Sequence, residues 1–162
     1  MQKELIDQSE IKLVGLTART NNKNEFDPKT AKIGELFGQF FGQNRASQIH
    51  HRKQPGVTFC VYTEYASDEH GDYTYLIGEE VSSFENVPTD MRMLIIPAAK
   101  YAKFITSSGQ MPDVVIDAWK KIWAMSSTDF GGQRIYIADF EVYDQRAADP
   151  AFASLDIYIG IQ

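Results

Sequence analysis

Cysteine is almost missing from this sequence of 162 residues: Cys60 stands alone and cannot close an internal disulfide. Its neighbours Val57, Phe59 and Val61 point to a buried strand thiol in a reducing compartment. Basic residues are in the minority, 16 Lys and Arg against 22 Asp and Glu, and the net charge of -6 offers phosphates no overall positive field. Direct nucleic-acid binding is therefore not expected. No run approaches the ~18 apolar residues a spanning helix needs. The opening MQKELIDQSEIKL has charges where a secretory signal has its apolar stretch. The expectation is a cytoplasmic chain without a membrane partner. Catalytic signatures are also missing: there is no GxSxG, Walker loop, GxGxxG or HExxH, and no cysteine with a nearby histidine. His50, His51 and His70 are the imidazoles available, with no acidic residue at metal-ligand spacing. Neither a metal nor a cofactor is expected, and an enzyme is not the first reading.

What is present is a composition of 43% hydrophobic and 12% aromatic residues, enough for a single domain over 1–162. Residues 10–20 read as an interior strand. Asp27 and Pro28 suit a helix N-cap and first turn, followed by Ile33, Leu36, Phe37, Phe40 and Phe41 at helical spacing. The polar stretch 42–56, with Arg45, His50, His51, Arg52 and Lys53, reads as a solvated loop. Residues 57–66 and 73–81 form a strand pair. The order then returns: an extended run over 91–107 broken at Pro97, a helix after Pro112 and Asp113, and strands at 134–143 and 155–161. YLIGEE at 75–80 matches IYIGIQ at 157–162, aligning Gly78 with Gly160, and the TEY around Glu64 resembles the FEVY around Glu141. The fold class expected is α+β: two tandem β-α-β-β repeats, about 10–85 and 90–162, forming one antiparallel sheet with two helices on one face and a groove between the repeats.

Aromatic side chains are in excess on the elements themselves: Tyr62, Tyr65, Tyr73, Tyr75, Tyr101, Trp119, Trp123, Tyr136, Tyr143 and Tyr158. Tyrosine and tryptophan carry a polar group that needs a partner when buried, so they suit a ligand-lined cavity as well as a core. Glu141 interrupts a strand otherwise suited to burial. Alternation leaves two readings open, a groove carboxylate or a solvent-facing one paired across strands.

The segments YLIGEEV, IIPAAKYAKF, AWKKIW, DFEVYD and LDIYIGI, in that order over 10–162, resemble the GyrI-like effector-binding domain, the small-molecule-sensing module of AraC-type and MerR-type transcription regulators that also occurs alone. The resemblance implies a groove lined by aromatics, with an acidic residue that neutralises lipophilic cations. Glu141 matches that acid, and Tyr75, Trp119 and Trp123 match lining positions, with Tyr101, Phe59 and Tyr143 completing the expected set. Glu64 offers a second carboxylate in the other repeat. The two repeats leave no room for a helix-turn-helix. The expected function is that of a stand-alone binding protein for amphipathic, cationic or planar organic ligands. The resemblance also admits a hydrolase of electrophilic natural products using the groove Glu and Tyr, and an acidic protein-interaction module of the gyrase-inhibitor kind.

Overall fold

Stretches rich in β-branched and aromatic residues supply most of the strands. In the computed structural model, covering Met1–Gln162, these are β1 (Gln2–Gln8), β2 (Ile11–Thr20), β3 (Thr58–Thr63), β4 (Tyr73–Glu80), β5 (Arg92–Ile96), β6 (Ala99–Ile105), β7 (Arg134–Tyr143) and β8 (Asp156–Ile161). They pair antiparallel in one sheet of order β1-β6-β8-β7-β3-β4-β2-β5. The helices are α1 (Asn22–Glu25), α2 (Ile33–Gly42), α3 (Asp113–Trp123) and α4 (Ser127–Phe130). The fold is α+β, with β2-α2-β3-β4 and β6-α3-β7-β8 as its two units. Their third strands, β3 and β7, meet at the centre of the sheet.

The first strand of each half lies on the other half. β1 pairs with β6, and β5 pairs with β2, so each unit is closed by a strand from its twin. The sequence reading missed β1. Its residues are charged and mostly exposed because it forms one edge of the sheet, where a single neighbour demands little apolar surface.

Alternation along the strands sorts the core into two faces. One cluster joins Val14, Cys60, Tyr75, Ile77, Phe104, Ile157 and Ile159 to Phe40 of α2 and to Ala118, Trp119 and Ile122 of α3. The opposite cluster, including Leu13, Phe59, Val61, Leu76, Tyr101 and Phe140, consists of strand residues alone, which requires the sheet to coil around it. Gly15 and Gly78 face one another across β2 and β4, where neither position has room for a side chain. A Cβ on Gly78 would lie 2.1 Å from the Val14 carbonyl oxygen, and one on Gly15 would lie 2.2 Å from that of Ile77. Gly78→Ala is therefore expected to cost about 1–3 kcal/mol through overpacking against backbone. A lower urea midpoint at unchanged slope would register it.

The start of α2 corrects the sequence reading. Asp27 and Pro28 do not cap the helix but form a turn, in which the Asp27 side chain accepts from the Lys29 amide at 3.0 Å. The capping role falls to Glu25, whose carboxylate accepts from the backbone amides of Lys32 (3.0 Å) and Ile33 (2.9 Å) and from the Thr20 hydroxyl (2.6 Å). An acid at a helix N-terminus satisfies otherwise orphaned amides and complements the dipole. Ile33, Leu36, Phe37, Phe40 and Phe41 all remain within the helix.

Candidate functional site

Between α2 and α3, over the central strands, lies a cavity of about 540 Å³. Tyr62, Tyr73, Tyr75, Glu141 and Tyr143 form its floor, Ile33 and Phe37 one wall, and Val115, Trp119 and Trp123 the other. The floor follows from register. Ala138 and Phe140 belong to the back cluster, so Asp139 and Glu141 project toward the helices. Cys60 and Tyr62 project the same way, giving two cross-strand pairs at the seam of the halves, Cys60 with Glu141 and Tyr62 with Asp139.

Glu141 is buried, and its carboxylate accepts three hydrogen bonds, all from neutral donors. Oε2 receives the Trp119 indole N–H at 2.6 Å and the Tyr62 hydroxyl at 2.8 Å, and Oε1 receives the Tyr143 hydroxyl at 2.7 Å. No lysine, arginine or histidine forms an ion pair with it. Burial pushes its pKa above the ordinary glutamate value, and the bonds from Tyr143, Trp119 and Tyr62 pull it partway back. The surrounding hydroxyls hold their protons: burial first, then the Glu141 charge, raises Tyr62 and Tyr143 well above the usual phenol value. The same causes raise the Cys60 thiol, which is an inert packing group here.

Of the residues expected from the sequence, Trp119, Trp123, Tyr75, Glu141 and Tyr143 come together on this cavity. Tyr101 and Phe59 do not. Both sit on the back face, where Tyr101 packs edge-on against Phe140 at 5.3 Å and Phe59 lies 5.8 Å from the same ring. The reason is parity: Phe59 neighbours the groove-facing Cys60, and Tyr101 neighbours Ala102 of the helix-side core. Glu64 is also elsewhere, ion-paired with an Arg92 that holds its carboxyl down to about 2, and its φ of +51° marks the end of the strand. Strand pairing gives a different equivalence from the TEY and FEVY wording. Tyr62 pairs with Tyr75, and Glu141 pairs with Ile157. Since 75 and 157 correspond in the repeat, Tyr62 is the structural twin of Glu141. The two twins touch through the Tyr62 hydroxyl.

An aromatic cavity with a buried, cation-free carboxylate at its base has the concave, mostly apolar lining typical of small-molecule sites. The sequence agrees, because residues 4–161 match the Cass2 family, described as integron-associated effector binding protein. The chain belongs to that family. Among its Cass2-like relatives of known structure, the Vibrio cholerae integron cassette protein VCH_CASS2 superposes with a TM-score of 0.79 at 26% identity, covering 99% of this chain and 95% of that one. SAV2435, solved bound to tetraphenylphosphonium, shares the fold at a TM-score of 0.77 and 14% identity, covering 100% and 94%. YobU of Bacillus subtilis is 28% identical over 151 residues, 93% of this chain and 92% of YobU. The transcriptional regulator BrlR of Pseudomonas aeruginosa is 30% identical over 131 residues, 80% of this chain but 46% of BrlR, so this Cass2 chain spans less than half the length of that regulator. No helix of the Cass2 chain is long and apolar enough to cross a membrane.

The Cass2 groove also has a polar end that sequence reasoning missed. Regular alternation would put Arg134 and Asp139 on opposite faces. A bulge shifts the register of β7 between them, with Tyr136 at φ +51°, and brings both to the groove side. Arg134 Nη2 then donates to Asp139 Oδ2 at 2.7 Å, and the guanidinium stacks 4.2 Å from the Tyr136 ring. Fully buried Asp139 also accepts from the Tyr65 hydroxyl at 2.7 Å and from the Gly160 amide at 2.9 Å. The available signal was the crowding of Arg134, Tyr136, Asp139 and Glu141 on one strand, but the bulge hides their common face.

Proposed function

We propose that this protein binds amphipathic organic cations, planar ones among them, in the groove between its two halves. The observation that carries this reading is Glu141, a buried carboxylate held by three neutral donors and no cation. Such a charge is costly alone, and a ligand cation supplies the missing neutralisation. Trp119 and Tyr62, packed edge to face at 5.1 Å, both line the cavity, and an accessible aromatic face there is worth ~0.5–2 kcal/mol to a desolvated cation. The apolar walls take the ligand's hydrocarbon body. The tetraphenylphosphonium bound by SAV2435, a protein of the same fold, is a cation of this kind.

Titration with tetraphenylphosphonium, followed by the fluorescence of Trp119 and Trp123, should show saturable quenching. The affinity should depend on pH with a definite sign. Because the Glu141 pKa is raised in the free protein, protonated Glu141 competes with the cation, and affinity should climb as pH rises through that value and then level off. The climb is at most tenfold per pH unit. Stability of the unliganded protein should move the other way. The contribution of protonated Glu141 is fully present below the unfolded-chain pKa and is lost as pH rises through the folded one. An affinity independent of pH across the whole range in which the protein stays folded would remove Glu141 from the recognition.

A further inference from the structure

The groove is bordered by Glu25, Glu69 and Glu141, and Arg134 is its one lysine or arginine. These carboxylates are not equivalent. Glu25 is occupied in capping α2, as described above. Arg134 is claimed by Asp139 at 2.7 Å and stands 4.0 Å from Glu69. Glu69 also accepts from the neutral Tyr136 hydroxyl and lies 3.9 Å from the exposed ring of His70. With Asp139 holding Arg134 at the shorter distance, Glu141 at the base of the groove has no cationic partner, and Glu69 is paired only at long range, 4.0 Å from the shared Arg134 and 3.9 Å from His70.

Two indoles, Trp119 and Trp123, border the groove together with these acids. Trp119 and Trp123 are four residues apart on α3, one turn and ~6 Å along the axis, on the same helical face. Trp119 binds Glu141 directly. Trp123 and Glu69 together border both the main groove and an adjoining cavity of about 110 Å³. Between the acids runs a wall of tyrosines in ring contact, Tyr62 to Tyr73 at 5.3 Å, Tyr73 to Tyr65 at 6.0 Å and Tyr65 to Tyr136 at 5.6 Å. The pattern of acid and indole is thus repeated along one aromatic surface.

We propose that the preferred ligands are amphipathic organic dications, with one cationic centre on Glu141 beside Trp119 and the second on Glu69 beside Trp123. This rests on the cation reading of Glu141 and adds the second charge. A quaternary ammonium in place of a terminal methyl removes apolar burial, so tighter binding of the doubly charged molecule has to come from a second electrostatic contact, and its loss in Glu69→Gln assigns that contact to the acid rather than to the tyrosine faces. Tyr136, its hydroxyl donated to Glu69, keeps that acid oriented.

The test compares linear bis(trimethylammonium) alkanes, from butane to dodecane, with alkyltrimethylammonium ions of matching chain length below their micellar concentrations. At the optimal length the dication should bind about fivefold or more tightly than its monocation. Glu69→Gln should abolish that advantage while leaving the monocation within about twofold, and Glu141→Gln should weaken both. A dication no tighter than its monocation at any length, or equal losses for both ligands in Glu69→Gln, would overturn the proposal. An unchanged monocation affinity in Glu141→Gln would instead overturn the reading of Glu141, and this inference with it.

Discussion

Glu141→Gln should weaken tetraphenylphosphonium tenfold or more while altering a neutral ligand of the same shape by less than about twofold. The substitution keeps volume and shape and removes the charge. A unit charge pair ~6 Å apart at an effective dielectric of ~20 is worth ~3 kcal/mol, and desolvating the cation takes back part of that. A remainder of ~1.4 kcal/mol is already tenfold. The three donors refine the expectation. The indole of Trp119 and the hydroxyls of Tyr62 and Tyr143 all donate to the carboxylate, and an amide has an oxygen on one side only. Its NH₂ group would confront at least one donor, so some repacking of the floor is expected. The neutral analogue separates the two effects. Equal loss for both ligands would mean that Glu141 shapes the floor without attracting charge, and paired calorimetric titrations would distinguish the cases.

The legibility of this molecule follows the periods of its elements. Helical spacing located Phe37 and the pair Trp119 and Trp123, and period-two alternation located most of the strands. The repeated IG dipeptide at Gly78 and Gly160 disclosed the duplication. Alternation alone does not say which parity faces the helices, so nothing local corrects the resemblance where it adds Tyr101 and Phe59, which belong to the other face. Nor could alternation detect that β1 and β5 exchange halves, because strand exchange depends on contacts far apart in sequence and leaves no local period. Local wording also misled the comparison of Glu64 with Glu141, since the sheet register makes Tyr62 the twin. The helix start is not legible locally because Asp27 and Pro28 suit a turn as well as a cap, and the cap comes from Glu25, reaching forward over the turn. The bulge in β7 is the largest such gap. It reverses parity within a continuous strand, and so conceals a buried ion pair at the edge of the groove.

That ion pair should make Arg134→Met one of the most destabilising single changes in the chain, at about 3–5 kcal/mol. Methionine can retain contact with the Phe130 and Tyr136 rings, so the loss is chiefly electrostatic. Asp139 would keep its bonds from Tyr65 and Gly160 but lose its one cationic partner at zero exposure. A surface pair of the same length would cost about 1 kcal/mol or less, so the size of the drop in urea midpoint itself tests the burial. Asp139→Asn introduced together with Arg134→Met should recover part of the loss, because no unpaired charge is then buried. Strictly additive costs in the double-mutant cycle would mean that the two residues act independently. Binding should shift in the opposite direction to stability. Removing the one lysine or arginine that borders the groove lowers its potential, so any folded Arg134→Met protein should hold tetraphenylphosphonium more tightly than the parent does. A change that loosens the fold and tightens the ligand cannot be put down to general disorder, and it would identify the buried pair as the element by which this groove limits its own negative charge.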